Sequence, residues 1–143
     1  VYNPRQMPAL ESLPDHMENL MVSILLIEDD SQVRQMLRLT LEADGYEVQT
    51  ASNGHEGMAL YRSMQPDILI TDLVMPQQEG IETIDKVRQL DPEANIIAIS
   101  GGGTIQPHVY LDIARQLGAN RTFKKPVDSR QLLKAIEELA HSG

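Results

Sequence analysis

The chain has 143 residues, enough for one domain with a real core, and 21 acidic against 12 basic residues give it a net charge of −9. That charge argues against nucleic acid or an anionic membrane as partner for the whole surface, and no apolar run approaches the roughly 18 residues that cross a bilayer. With no cysteine, no tryptophan and a single phenylalanine, the chain has no disulfides, thiolate metal sites, cysteine nucleophiles or stacking platforms for bases, and its core must be aliphatic. The absence of cysteine also fits a cytoplasmic protein.

Residues 1–20 are polar, contain Pro4, Pro8 and Pro14, show no sustained periodicity and do not form a secretory signal. They read as a flexible leader, in part an expression remnant ahead of Met17 or Met21, with a short docking segment as the alternative. Regular patterning begins at Met21, so the domain is expected over residues 21–141. Val22 to Ile27 is a continuous β-branched apolar run, hence a buried strand, and it leads directly into Glu28, Asp29 and Asp30. Ser31 is placed to cap the following helix, with Asp30 a capping acid at the same end and Val33, Met36, Leu37, Leu39, Thr40 and Leu41 as apolar positions. Asp44-Gly45 stops it.

Tyr46 to Ala51 alternates more and suggests an edge strand. Asn53 to Glu56 has capping-box character, and a second helix runs through Met58, Ala59, Leu60 and Met64 until Pro66. The third strand follows and ends on Asp72, with Pro76 and Gly80 in the loop beyond. A helix through Ile81, Ile84, Val87 and Leu90, a strand over Asn95 to Ser100 and the glycines Gly101 to Gly103 come next. Pro107 suits the first turn of a fourth helix with Val109 or Tyr110, Ile113, Ala114 and Leu117 inward and Gly118 closing it. Asn120 to Lys124 reads as a fifth strand, ended by Lys125-Pro126. Asp128 caps a last helix with Leu132, Leu133, Ile136, Leu139 and Ala140 inward. Strict alternation of five strands and five helices implies one α/β domain with a parallel sheet and helices on both faces.

In such a sheet the C-terminal strand ends share one edge, which here carries Glu28-Asp29-Asp30, Asp72, Ser100 and Lys125. Clustered carboxylates repel, and an all-oxygen donor set suits a hard cation such as Mg²⁺, which also shares its shell with phosphate. Lys125 adds a point charge for phosphate or carboxylate, and Ser100 adds a hydroxyl. The set suits attack of a carboxylate oxygen on a phosphoryl group. Taken alone, the acids at residues 28–30 are equally a solvated helix N-terminus, Ser100 a plain loop hydroxyl and Lys124 a surface lysine. The methionines at helical spacing read as core, and His55, His108 and His141 as surface residues.

Residues 21–140 resemble a CheY-like response-regulator receiver domain of two-component signalling. The match rests on Glu28-Asp29, on Asp72-Leu73-Val74-Met75-Pro76 with Gly80 eight positions past Asp72, on Ser100-Gly101, and on Lys125-Pro126, each at a strand end and in order. The resemblance implies a single flavodoxin-like (βα)5 domain with strand order 2-1-3-4-5. It implies Asp72 as phosphoacceptor, and Mg²⁺ held by Asp29, by Glu28 through water, by Asp72 and by the Val74 carbonyl. It also implies that Ser100 moves to the phosphate and Lys125 pairs with it. The donor would be a sensor histidine kinase, a phosphotransfer protein or a small phosphodonor. The output would be a protein partner on the face of helix four, strand five and helix five, with no nucleic acid or membrane bound. Only His141-Ser142-Gly143 follows the last helix, so a stand-alone receiver, or one excised from a longer protein, is expected, and not an enzyme beyond its own phosphotransfer and dephosphorylation.

Alternatives are a receiver that binds partners without phosphate, or another Mg²⁺-dependent aspartyl-phosphate enzyme. A haloacid-dehalogenase-type enzyme wants Asp-x-Asp after strand one and a cap, and a Toprim domain wants Asp-x-Asp where Asp72 stands alone. Two departures from the family stand out. Thr122 occupies the switch position, three before Lys125, where an aromatic ring is usual, and the stretch from Ser100 to Lys125 is longer than the family's norm. Ordering of the Gly101 loop, with Tyr110, is expected to replace the aromatic flip. Adding beryllofluoride should therefore shift the NMR resonances of the Gly101 loop amides and of Tyr110; unchanged resonances exclude that coupling.

Overall fold

The computed structural model describes residues 22–73, 79–101 and 107–141. The leader, Val74, Gly102 and Gly103 therefore lie outside the described residues. Five strands alternate with five helices: β1 (Ser23–Ile27), α1 (Ser31–Ala43), β2 (Glu47–Ala51), α2 (Gly54–Met64), β3 (Ile68–Asp72), α3 (Glu79–Leu90), β4 (Asn95–Ser100), α4 (Pro107–Gln116), β5 (Arg121–Lys124) and α5 (Ser129–His141). All pairings are parallel and the order is β2-β1-β3-β4-β5, the expected doubly wound arrangement.

The uninterrupted apolar runs of β1, β3 and β4 have a simple cause: alternate residues face two separate cores. Ile24, Leu26, Ile68, Ile70, Ile97 and Ile99 pack with Leu37 and Leu41 of α1 and Leu132 and Ile136 of α5. Leu25, Ile27, Leu69, Ile96 and Ala98 pack on the other face with Met58 and Tyr61 of α2, Ile84 and Val87 of α3 and Tyr110 and Ala114 of α4. Each fully buried Leu or Ile contributes about 1.5–3 kcal/mol, so the three inner strands dominate stability. The outer strands β2 and β5 are only half covered, as the alternating pattern of β2 predicts.

Several local expectations are corrected. Asp30, not Ser31, is the N-cap of α1; its Oδ1 accepts from the Gln32 and Val33 amides at 2.9 and 3.1 Å while Ser31 is already helical. Met36, Leu39 and Leu90, expected inward, are exposed. In α4 Tyr110 rather than Val109 faces the core, and Leu111 is buried where Ile113 is not. His55, His108 and His141 are exposed, as expected.

The edge opposite the functional strand ends is tied by Arg88 near the end of α3. Its guanidinium donates to the carbonyls of Pro92, Ala94 and Gly118 and to Asn120 Oδ1, while Asn120 Oδ1 also accepts from the Ile96 amide. One side chain thus joins the turns that lead into β4 and β5. Arg88→Ala is expected to lower stability by about 2 kcal/mol, and Arg88→Lys to restore less than half, because an ammonium lacks the fork that reaches carbonyls on two turns. Urea denaturation of the three proteins checks this.

Candidate functional site

The chain leaves β1 for the outer strand β2 and returns past β1 to β3, so connections diverge above the β1–β3 pair, where open α/β sheets hold their ligands. Strand register brings the chemistry there. Ile27 pairs with Thr71, Asp72 with Ile99 and Ser100 with Lys124, so the residues that end β1, β3 and β4 emerge side by side.

Glu28 is 1% exposed, Asp72 3% and Ser100 0%, whereas Asp29 lies at the surface. Carboxylate oxygens of Glu28, Asp29 and Asp72 lie within 4.8 Å of one another. Lys125 Nζ stands 2.6 Å from Glu28 Oε1 and 2.9 Å from Asp72 Oδ2. The Lys125 amide donates to the Ser100 carbonyl at 2.9 Å, and the Lys125–Pro126 peptide is cis. The Ser100 hydroxyl is buried beside this group with no hydrogen-bond partner among the described residues.

Two glycines make the geometry possible. A Cβ at Gly80 would collide with the Asp72 carbonyl and Leu73 Cα, and one at Gly101 would collide with the Lys125 side chain. Val33, Met36, Leu37, Pro126 and Val127 line a groove of about 350 Å³ beside Lys125. A larger cavity of about 550 Å³, lined by Tyr61 and Leu90, contains none of the site residues.

Burial pushes the Glu28 carboxyl up to about 8; a hydrogen bond and the charge of Asp72 push the same way, and Lys125 opposes them. For Lys125, burial alone would lower the pKa, but hydrogen bonds and charge from Glu28 and Asp72 outweigh it and raise it. Three converging carboxylates with an orphaned hydroxyl nearby form a donor set compatible with Mg²⁺, all of it oxygen. Lys125, paired with both Glu28 and Asp72, offsets the repulsion between the carboxylates.

The structure thus gathers Glu28, Asp29, Asp72, Ser100, Gly101 and Lys125 at one edge. The other residues singled out in the sequence sit elsewhere. Tyr110 is buried in the core under α4, and Thr122 on β5 accepts a hydrogen bond at 2.9 Å from Arg115, which is also paired with Asp112. Sequence reasoning missed Arg34, whose Nη1 donates to the Glu28 carbonyl at 2.8 Å and reaches that of Asp29 at 3.4 Å. Its one sequence signal is a cation in the first turn of α1, where the helix dipole disfavours it.

Fold and site define a doubly wound α/β domain with an acidic, lysine-bridged pocket at its switch point. The family model for the response regulator receiver domain matches residues 24–137, and the chain belongs to that family. It is 31% identical over 118 residues to the chemotaxis protein CheY of Thermotoga maritima, covering 82% of this chain and 96% of that one. It is 33% identical to the transcriptional regulatory protein AfsQ1 of Streptomyces coelicolor, over 86% of this chain but only 53% of the relative, so the chain spans about half of that protein. Among solved structures, a receiver domain protein from Clostridium thermocellum superposes with a TM-score of 0.79 at 30% identity, over 85% of this chain and 96% of that one. No helix among the described residues is long and apolar enough to cross a membrane.

The Glu28 shift has a consequence for stability. Its pKa lies above the ordinary 4.5 in the folded chain, so its stabilising contribution is full below about 4.5 and lost as pH rises through about 8. The metal-free protein should therefore lose thermal stability across that window, and Glu28→Gln should flatten the slope. Melting curves in EDTA as a function of pH provide the check.

Proposed function

We propose that this receiver domain accepts a phosphoryl group on Asp72 from the phosphohistidine of a sensor kinase or phosphotransfer protein. The observation that carries the reading is the convergence of Glu28, Asp29 and Asp72 with Lys125 at the β1–β3 switch point in a chain of this family. Asp29, Asp72, Glu28 through water and the Val74 carbonyl would hold Mg²⁺, which when bound offsets negative charge on the carboxylates and the transferred group.

An Asp72 carboxylate oxygen attacks phosphorus, the bond from phosphorus to the imidazole nitrogen breaks, and that nitrogen keeps the electron pair. Lys125 leaves Asp72 to pair with a phosphoryl oxygen. The Ser100 hydroxyl, buried beside the site, donates to another. Hydrolysis of the acyl phosphate returns the carboxylate, so the domain acts as a signalling switch and not as an enzyme with a separate substrate. Rearrangement of Gly101, Tyr110 and Thr122 would carry the change to α4, β5 and α5, where a protein partner reads it. The absence of cysteine supports a cytoplasmic setting.

The second reading, a receiver that binds its partner without phosphate, is favoured by one observation: Thr122 stands where a switch ring is expected and is held by Arg115. Incubation with acetyl phosphate and Mg²⁺ followed by intact mass measurement separates the two. One added phosphoryl group is expected on the native chain and none on Asp72→Asn. An unmodified native chain, or a modified Asp72→Asn chain, overturns the proposal.

A further inference from the structure

Arg34 stands fourth in α1, in the first turn, where the positive end of the helix dipole disfavours a cation. No acidic residue lies in that turn, and the N-cap acid Asp30 directs its Oδ1 at the Gln32 and Val33 amides. What Arg34 does instead is reach backward. Its Nη1 lies 2.8 Å from the Glu28 carbonyl and 3.4 Å from the Asp29 carbonyl, just past the last β1–β3 register pair at Ile27 and Thr71. Two consecutive peptides, Glu28–Asp29 and Asp29–Asp30, are therefore held by one guanidinium. A second tie lies across it: the Asp30 amide donates to Glu28 Oε2 at 3.3 Å.

We propose that Arg34 is a positioning residue for the divalent cation: it holds the carbonyls of the two consecutive residues Glu28 and Asp29, and so fixes the directions in which both carboxylates leave the backbone. The proposal rests on the reading of the site as one that binds Mg²⁺. Its physical content is a conflict of signs. As a charge, Arg34 repels an incoming cation, so removing it should tighten binding. As a clamp on the ligand-bearing loop it preorganises the donors, so removing it should weaken binding, as loss of the groups that orient metal ligands does elsewhere by 10–100-fold. The contacts favour the clamp, because the guanidinium is spent on carbonyl oxygens and leaves the carboxylates available.

The experiment is calorimetric titration of Mg²⁺ into the metal-free chain, comparing native protein, Arg34→Ala, Arg34→Lys and Asp29→Asn well below the melting point of each in EDTA. Arg34→Ala should weaken Mg²⁺ binding about tenfold. Arg34→Lys, which keeps the charge but lacks the planar fork, should stay weakened and covers the case in which the alanine variant does not fold. The resonance of the Asp30 amide should move in both variants before any metal is added. Unchanged or tighter binding in Arg34→Ala, or full recovery in Arg34→Lys, overturns the role of Arg34 alone. Binding by Asp29→Asn as tight as that of the native chain overturns the metal-site reading as well.

Discussion

The structure depends on one lysine that reaches across a strand. Lys125 follows β5, yet its ammonium contacts Asp72 at the end of β3 and Glu28 at the end of β1, so it must pass over the end of β4. Gly101 stands at that crossing, where any side chain would strike the lysine stem. Both carboxyl groups are almost fully buried, and buried charge is tolerated only when it is paired, hydrogen-bonded or neutralised by a proton. The lysine supplies the pairing, and the upward shift of Glu28 favours neutralisation by a proton. The sheet can therefore carry a dense group of buried acids at the ends of its inner strands.

The same economy runs through the rest of the edge. Asp30 is spent on capping α1, which removes one acid from the cluster and anchors the helix that bears Arg34. Gly80 lets the start of α3 sit directly against the backbone of Asp72. The helices α1 and α3 thus begin fastened to the segments that end β1 and β3. At the opposite edge Arg88 performs the matching task for β4 and β5, with carbonyls instead of carboxylates as its targets.

Much of this was legible in the sequence. Strands buried on both faces are continuous apolar runs, so β1, β3 and β4 announced themselves, and the polar residues that ended them were the site. The helices were less legible in detail. Met36, Leu39, Leu90 and Ile113 fit inward spacing but lie outside, because apolar residues commonly remain at the surface and periodicity alone does not assign the face. Ser31 and Asp30 are both good caps, and only backbone geometry separates them. Arg34, Arg88 and Arg115 act on oxygens outside their own helices, two of them on main-chain carbonyls that no side-chain pattern marks. The glycines at 80 and 101 could be placed near the site, but their reason, close approach of backbone or lysine stem, required coordinates.

The alternation of β1 and β3 between two cores places a parity condition on the acids. Glu28 continues the series Ile24, Leu26, and Asp72 continues Ile68, Ile70, so both follow the series that faces α1 and α5. Insertion or loss of one residue within either strand would exchange its two faces, moving an acid to the far side of the sheet while sending every inward side chain to the wrong core. Strand lengths on this side of the domain are in that sense digital. The connections above the sheet obey no such rule, because no face alternation ties their length to the cores.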